Sequence, residues 1–264
     1  MKKIFIILIA LLVLIVPSGC KKEESAPDWD YIKQKGELII GLDDSFPPMG
    51  FRDEANNLVG FDIDFAKAVC AELKLTPVFQ PIEWSAKEME LDGKHIDCIW
   101  NGMSITPERL ENMSLTRGYL NNRIIIMTVP DVTVTSKDDL KNLNVGTQAK
   151  SAALEVCMED PIYGELANFF EYATYEEVIM DMDAGRIQAM IVDEVLGMYK
   201  NSMRATSFNV ASVDFGDDLY AVGFRKTDKD LTSRVQQTID NLIKSGKAAE
   251  ISNAWFGADI VIKP

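Results

Sequence analysis

The sequence predicts an α/β protein with parallel sheets flanked by helices, arranged as two halves around a cleft. Two observations carry this expectation. From Glu37 onward, short β-rich runs alternate with helical segments, the grammar of strand-helix-strand units. Two distant stretches, LDGKHIDCIWNG and MDAGRIQAMIVDE, each run from a helix through Gly-Lys or Gly-Arg into an apolar strand with polar residues at its C-terminal end. In open α/β sheets ligands bind beyond the carboxyl ends of strands. Residues 101–104 and Asp193 therefore mark two candidate sites, and two such edges facing each other form a cleft.

The elements follow in chain order. Met-Lys-Lys precedes an uncharged apolar run from Ile4 to Val16, which ends in Pro17-Ser18-Gly19-Cys20. The run is too short to span a bilayer comfortably and has the charged start and small-residue end of an export signal over residues 1–19. The Ser-Gly-Cys end resembles a lipobox, although Pro17 stands where lipoboxes usually carry leucine. That resemblance implies a lipid on Cys20 and a mature chain facing the outside of the membrane, with a plainly secreted form as the alternative. Residues 20–29, polar and containing Pro27, read as a tether between membrane and domain.

Beyond the tether, strands are expected at LIIGLD, TPVFQPI, IDCIW, RIIIMTV, NVG, NFFEYA, AMIVD, FNVASV and YAVGF, with helices between them. The helix from about Asp62 places Ala66, Val69, Cys70 and Leu73 on one buried face. Thr174 with Glu177 forms a capping box, and Gly185 stops the helix that follows.

Charge and cysteine usage exclude several classes. A formal charge of −14 argues against nucleic acid, whose binding needs concentrated lysine and arginine. Cys70, Cys98 and Cys157 have no CxxC spacing and no nearby histidine, so they read as small buried hydrophobes, with a Cys70–Cys98 bridge left open. The single histidine, His95, falls in a turn. No metal and no cofactor is expected.

The stretch NGMSITPERLENM carries the chemistry. Thr106 reads as an N-cap and Pro107 as the first helical residue, which puts Arg109 in the first turn, at the positive end of the helix dipole. A cation there costs roughly 0.3–1 kcal/mol and calls for a negative partner. An arginine fork beside free backbone N–H groups is a good carboxylate receptor. A second strand-to-helix junction, NVGTQAKSAALEV, offers further N–H groups near Gln148 to Ala152, and Asp193 is placed to accept from an ammonium group. Receptors for a carboxylate and an ammonium together describe an α-amino acid.

GLDDSFPPMGF, LVGFDIDFAKAVCAEL, GMSITPER and VDE, in this order after a lipoprotein-like signal, resemble the polar amino-acid solute-binding proteins of ABC importers. The similarity covers roughly Gly36 to Gly257. It implies a two-lobe, periplasmic-binding-protein-like fold of type II with two hinge crossovers and a central ligand cleft. Lobe one is placed at 30–120 plus 219–264 and lobe two at 121–218. It also implies a monomer that binds a free amino acid and delivers it to a membrane permease, with no catalytic residues.

By the same resemblance, Arg109 holds the ligand carboxylate, with Gly102 and Ser104 contributing oxygens and Asp193 taking the ammonium. Ser151 belongs to the second carboxylate loop, Phe46 and Trp84 sandwich the ligand side chain, and Asp43 faces it. The ordinary alternatives are core packing for Phe46 and Trp84, turn chemistry in LDDSFPP for Asp43, and a surface pair with Glu111 for Arg109. Two departures bear on specificity. Ala149-Lys150-Ser151-Ala152 replaces a Thr-Gly-Ser-Thr-like loop, and Lys150 points either to the cleft or to water. Arg117 stands where relatives often have an acidic residue. Asp43 favours a basic or amide side chain, because an acidic ligand would face a like charge. Two rivals remain: a dehydratase-type enzyme on the same scaffold, which would need Asp43, Asp44 or Glu83 as general acid or base, and an amino-acid-sensing surface lipoprotein.

Overall fold

The computed structural model describes residues 28–264. The export signal and Cys20 lie outside the described residues, as does most of the expected tether. Helix α1 spans Asp28–Lys35 and begins two residues before the tether was expected to end. Asp28 accepts a hydrogen bond from the Leu231 amide (3.1 Å), and Trp29 packs against the core.

The first half continues with β1 (Glu37–Leu42), the short strands β2 (Ser45–Phe46), β3 (Gly50–Arg52) and β4 (Leu58–Val59), and helix α2 (Phe61–Leu73). Then come β5 (Thr76–Pro81), α3 (Lys87–Asp92), β6 (Cys98–Ser104), α4 (Pro107–Asn112) and β7 (Met113–Leu115). A long strand, β8 (Leu120–Thr128), leads into the second half: β9 (Asn144–Gln148), α5 (Ala152–Glu159), β10 (Asn168–Tyr172), α6 (Tyr175–Asp183), β11 (Ala189–Asp193) and α7 (Glu194–Ser202). The chain returns through β12 (Asn209–Arg225) and ends in α8 (Lys229–Lys244) and α9 (Lys247–Phe256).

Each half contains the parallel sheet its strand-helix alternation predicts: β5-β1-β6 in one lobe and β10-β9-β11 in the other. The two are not separate sheets. Antiparallel β8 and β12 lie between them, so the strand order runs β10-β9-β11-β8-β12-β6-β1-β5. FNVASV and YAVGF, expected as two strands, are one 17-residue strand. The polar stretch Asp214 to Asp218 hid the join: β12 pairs with β8 through two register shifts between Val210 and Gly216 (φ 109°), and aspartate and glycine read as a break in a strand. These two strands are the crossovers of a two-lobe fold.

The local signals act where the sequence puts them. Thr106 caps α4 through the Arg109 amide, with Pro107 at the first position. Thr174 and Glu177 form the reciprocal capping box of α6, and Gly185 takes a left-handed conformation (φ 72°) just after it. Helix α2 buries Ala66, Val69 and Cys70, while Leu73 is half-buried at its end. Cys70, Cys98 and Cys157 are free and buried, so no Cys70–Cys98 bridge is present. Among the described residues no helix is long and apolar enough to cross a membrane.

Candidate functional site

The end of β6 forms the floor of the cleft. Gly102 has φ 55°, and a β-carbon there would lie 2.9 Å from Phe46 Cε1 and 3.2 Å from Met49 Cγ, so backbone and aromatic ring meet where no side chain fits. The Gly102 amide donates to Asp62 Oδ2 (2.6 Å), and the other Asp62 oxygen accepts from the Tyr119 hydroxyl (2.7 Å). Burial pushes the Asp62 pKa up to about 7 despite these bonds.

From the first turn of α4, Arg109 folds back over the strand end. Its Nη1 donates to the Ser104 carbonyl (2.9 Å), and its Nη2 reaches the Lys150 carbonyl (3.4 Å) and Glu155 Oε1 (3.3 Å), both on the opposite lobe. Nε is buried and has no partner among the described residues. The surface pair with Glu111 is not formed; the guanidinium is 3% exposed and lies 5.9 Å from the Trp84 ring centre. A buried guanidinium held only by a carbonyl and two long contacts retains donor capacity for an anion.

The second lobe contributes the β9–α5 junction. Ser151 is the N-cap of α5 and accepts from the Leu154 amide (3.1 Å). The Ala149 and Ser151 amides are occupied by Tyr172 and Gln148 carbonyls, whereas the first-turn amides of a helix lack acceptors within it and face outward. Lys150 is left-handed (φ 56°) and its side chain is exposed, so its charge points to water. Its carbonyl turns toward lobe one and accepts from Lys87 Nζ (3.0 Å). Lys87 is itself buried beside the Trp84 ring, and burial, reinforced by the nearby Arg109 charge, lowers its pKa to about 8.

Asp193 closes the opposite end. At the end of β11 it is 4% exposed, and Oδ1 accepts from Asn122 Nδ2 (2.8 Å) and the Tyr220 hydroxyl (2.9 Å). Asn122 Nδ2 also reaches Asp218 Oδ2 (2.8 Å), which accepts from Ser104 Oγ (2.7 Å). The crossing strands thus link the carboxylate of one lobe to the strand end of the other. Burial first, and Asp218 second, push the Asp193 pKa up to about 7.

Of the residues singled out from sequence, Phe46, Trp84, Gly102, Ser104, Arg109, Ser151 and Asp193 line one cavity, together with Asn101, Gln148 and Ala152. Asp43 does not line it. Its Oδ1 is held by the amide and hydroxyl of Ser45 (2.9 and 2.6 Å), which is turn chemistry, and its Oδ2 accepts from Gln148 Nε2 (2.7 Å). Arg117 lies elsewhere, paired with Asp240. Sequence reasoning missed Lys87, Asn122, Glu155, Asp218 and Tyr220, whose partners are remote in the chain. Asp62 sits in the GFDIDF stretch, but nothing local distinguishes it from an ordinary first-turn carboxylate.

Two lobes joined by two crossing strands, with a buried arginine and a buried aspartate lining one cavity, define a solute-binding clamp. Residues 38–258 match the bacterial extracellular solute-binding proteins, family 3, and the chain belongs to that family. It is 26% identical to the L-cystine-binding protein TcyJ of Escherichia coli K12 over 234 residues, covering 87% of this chain and 86% of that one. It is 24% identical to the arginine-binding extracellular protein ArtP of Bacillus subtilis over 259 residues, covering 97% and 98% of the two chains. The crystal structure of an ABC uptake transporter substrate-binding protein from Streptococcus pneumoniae with bound histidine superposes with a TM-score of 0.87 at 33% identity, covering 90% of this chain and all of that one.

Proposed function

We propose that the protein captures a free amino acid outside the cytoplasm and presents it, in a closed form, to the permease of an ABC importer. The observation that carries this reading is the pairing, in one cavity, of a buried Arg109, whose Nε has no partner among the described residues, with a buried Asp193. Arg109 and the Ala152 and Ala153 amides at the start of α5 receive the carboxylate; Asp193 receives the ammonium. Burying both ligand charges is tolerable because each meets a partner. Relatives whose names specify arginine, cystine or histidine support an amino acid, and binding-protein names support capture rather than catalysis.

The lobes are residues 30–120 with 219–264, and 121–218, and they close about the β8 and β12 crossings. Phe46 and Trp84 flank the ligand side chain, for which a basic or amide group is favoured. The protein acts as a monomer, anchored by lipid on Cys20; Cys20→Ala releases it from the membrane, which fractionation reads directly.

Titration calorimetry with the common amino acids and cystine tests the central claim. Arg109→Ala loses at least about thirtyfold in affinity, because truncating one partner of a buried hydrogen-bonded charge pair costs roughly 2–5 kcal/mol. A folded Arg109→Ala protein with near-normal affinity would overturn the assignment.

A further inference from the structure

Asp43 comes from the end of β1 in lobe one and Gln148 from the end of β9 in lobe two, yet their side chains meet at 2.7 Å. Gln148 lines the cavity and Asp43 does not. Gln148 Nε2 also donates to the Ala173 carbonyl (2.9 Å). A carboxylate and a carbonyl can only accept, so both amide hydrogens are committed and the orientation of the amide is fixed by chemistry. Its Oε1 receives no hydrogen bond from the described residues.

We infer that Asp43 selects the ligand's side chain through Gln148, holding that amide from across the cleft so that a carbonyl oxygen, not an N–H, is offered to the cavity. The ligand class that satisfies Oε1 is an amino acid whose side chain carries a donor: a guanidinium, an ammonium, an imidazole N–H or a carboxamide. A side-chain carboxylate meets an oxygen instead of a donor and leaves both unsatisfied. This inference rests on the amino-acid reading above and assigns Asp43 a positioning role rather than a ligand contact. Because the two residues belong to different lobes, the selector is complete only when the cleft is closed.

Ser45 makes Asp43→Asn informative. The Ser45 backbone amide is a fixed donor to Oδ1, so the introduced carboxamide keeps its oxygen there and turns its own NH₂ toward Gln148. Two facing donors repel, so the Gln148 amide keeps only its bond to the Ala173 carbonyl, is pushed from its place across the cleft, and no longer presents Oε1 to the cavity in a fixed position.

Calorimetry on full-length protein, with L-arginine, L-histidine, L-glutamine and L-glutamate as probes, reads this as a selectivity ratio. The wild type prefers at least one of the first three over glutamate by about tenfold or more, the value of one hydrogen bond to a charged group. Asp43→Asn and Gln148→Met each collapse that ratio, and the double variant loses no more than Gln148→Met alone, because Asp43 acts through the amide. Preference for glutamate in the wild type, an unchanged ratio in Asp43→Asn, or losses that add in the double variant would overturn the inference. Should Asp43→Asn not fold, an unchanged ratio in Gln148→Met does so by itself. If the wild type binds none of the probes or any other amino acid and Arg109→Ala behaves identically, the amino-acid reading falls and takes this inference with it.

Discussion

Asp193→Asn separates the cost of the site from its use. The Asp193 carboxyl has a pKa of about 7 here, against 3.8 in its ordinary state. At ~1.4 kcal/mol per pH unit, the difference is about 4 kcal/mol. Because the folded-state value is the higher one, the favourable contribution is complete below pH ~4, where the group is protonated in both states. It is lost as pH rises through about 7, where the folded protein must hold a buried charge. Asparagine keeps an oxygen for the Asn122 and Tyr220 donors and never ionises. Ligand-free Asp193→Asn and wild type should therefore melt together near pH 4 and diverge by pH 8, with the variant higher. About 4 kcal/mol in a chain of this size corresponds to roughly 8–16 °C. The same variant loses ligand affinity, since the ammonium has no counter-charge. Differential scanning calorimetry from pH 4 to 8, with and without ligand, reads both effects. Parallel melting curves across that range would show that the carboxylate is solvated in the ligand-free protein and would refute the burial argument.

Two other substitutions test the surrounding geometry. Gly102→Ala forces a β-carbon into a left-handed position 2.9 Å from Phe46, and about 2–4 kcal/mol of destabilisation is expected in chemical denaturation. Lys87→Met removes the interlobe bond to the Lys150 carbonyl; stopped-flow binding should show ligand dissociation faster by about tenfold with association little changed, since the contact exists only after the lobes meet. An unchanged dissociation rate would show that this bond does not hold the cleft shut.

What the sequence disclosed was whatever local chemistry controls. Thr106-Pro107 and the Thr174–Glu177 box announce helix starts because a cap acts within one turn, and β6 and β11 announce themselves as apolar runs ending in polar residues. The crossover β12 escaped because its middle is aspartate and glycine, residues that a strand between two lobes tolerates where it is not enclosed in a core. The site residues divide in the same way. Arg109 was legible because a cation in a first turn violates a local preference. Asn122, Asp218 and Tyr220 violate nothing locally, and their partners lie up to 114 positions away in the chain.

The polar groups brought together in the cleft satisfy one another only in part. Arg109 Nε has no partner among the described residues, its Nη2 contacts are 3.3 and 3.4 Å long, and Asp193 is enclosed next to a second carboxylate. Each defect costs free energy when the lobes meet without ligand. An amino acid supplies one anion and one cation and removes both defects at once. Under the proposed reading, the ligand thus stabilises the closed arrangement more than the open one, which is the differential affinity a population shift requires. The Asp43–Gln148 bond gives that shift its selectivity: a side chain that cannot donate to Gln148 leaves one more buried polar group unpaired in the closed form alone. Discrimination is then exerted at closure, so a rejected amino acid should bind the open form and fail to hold it shut.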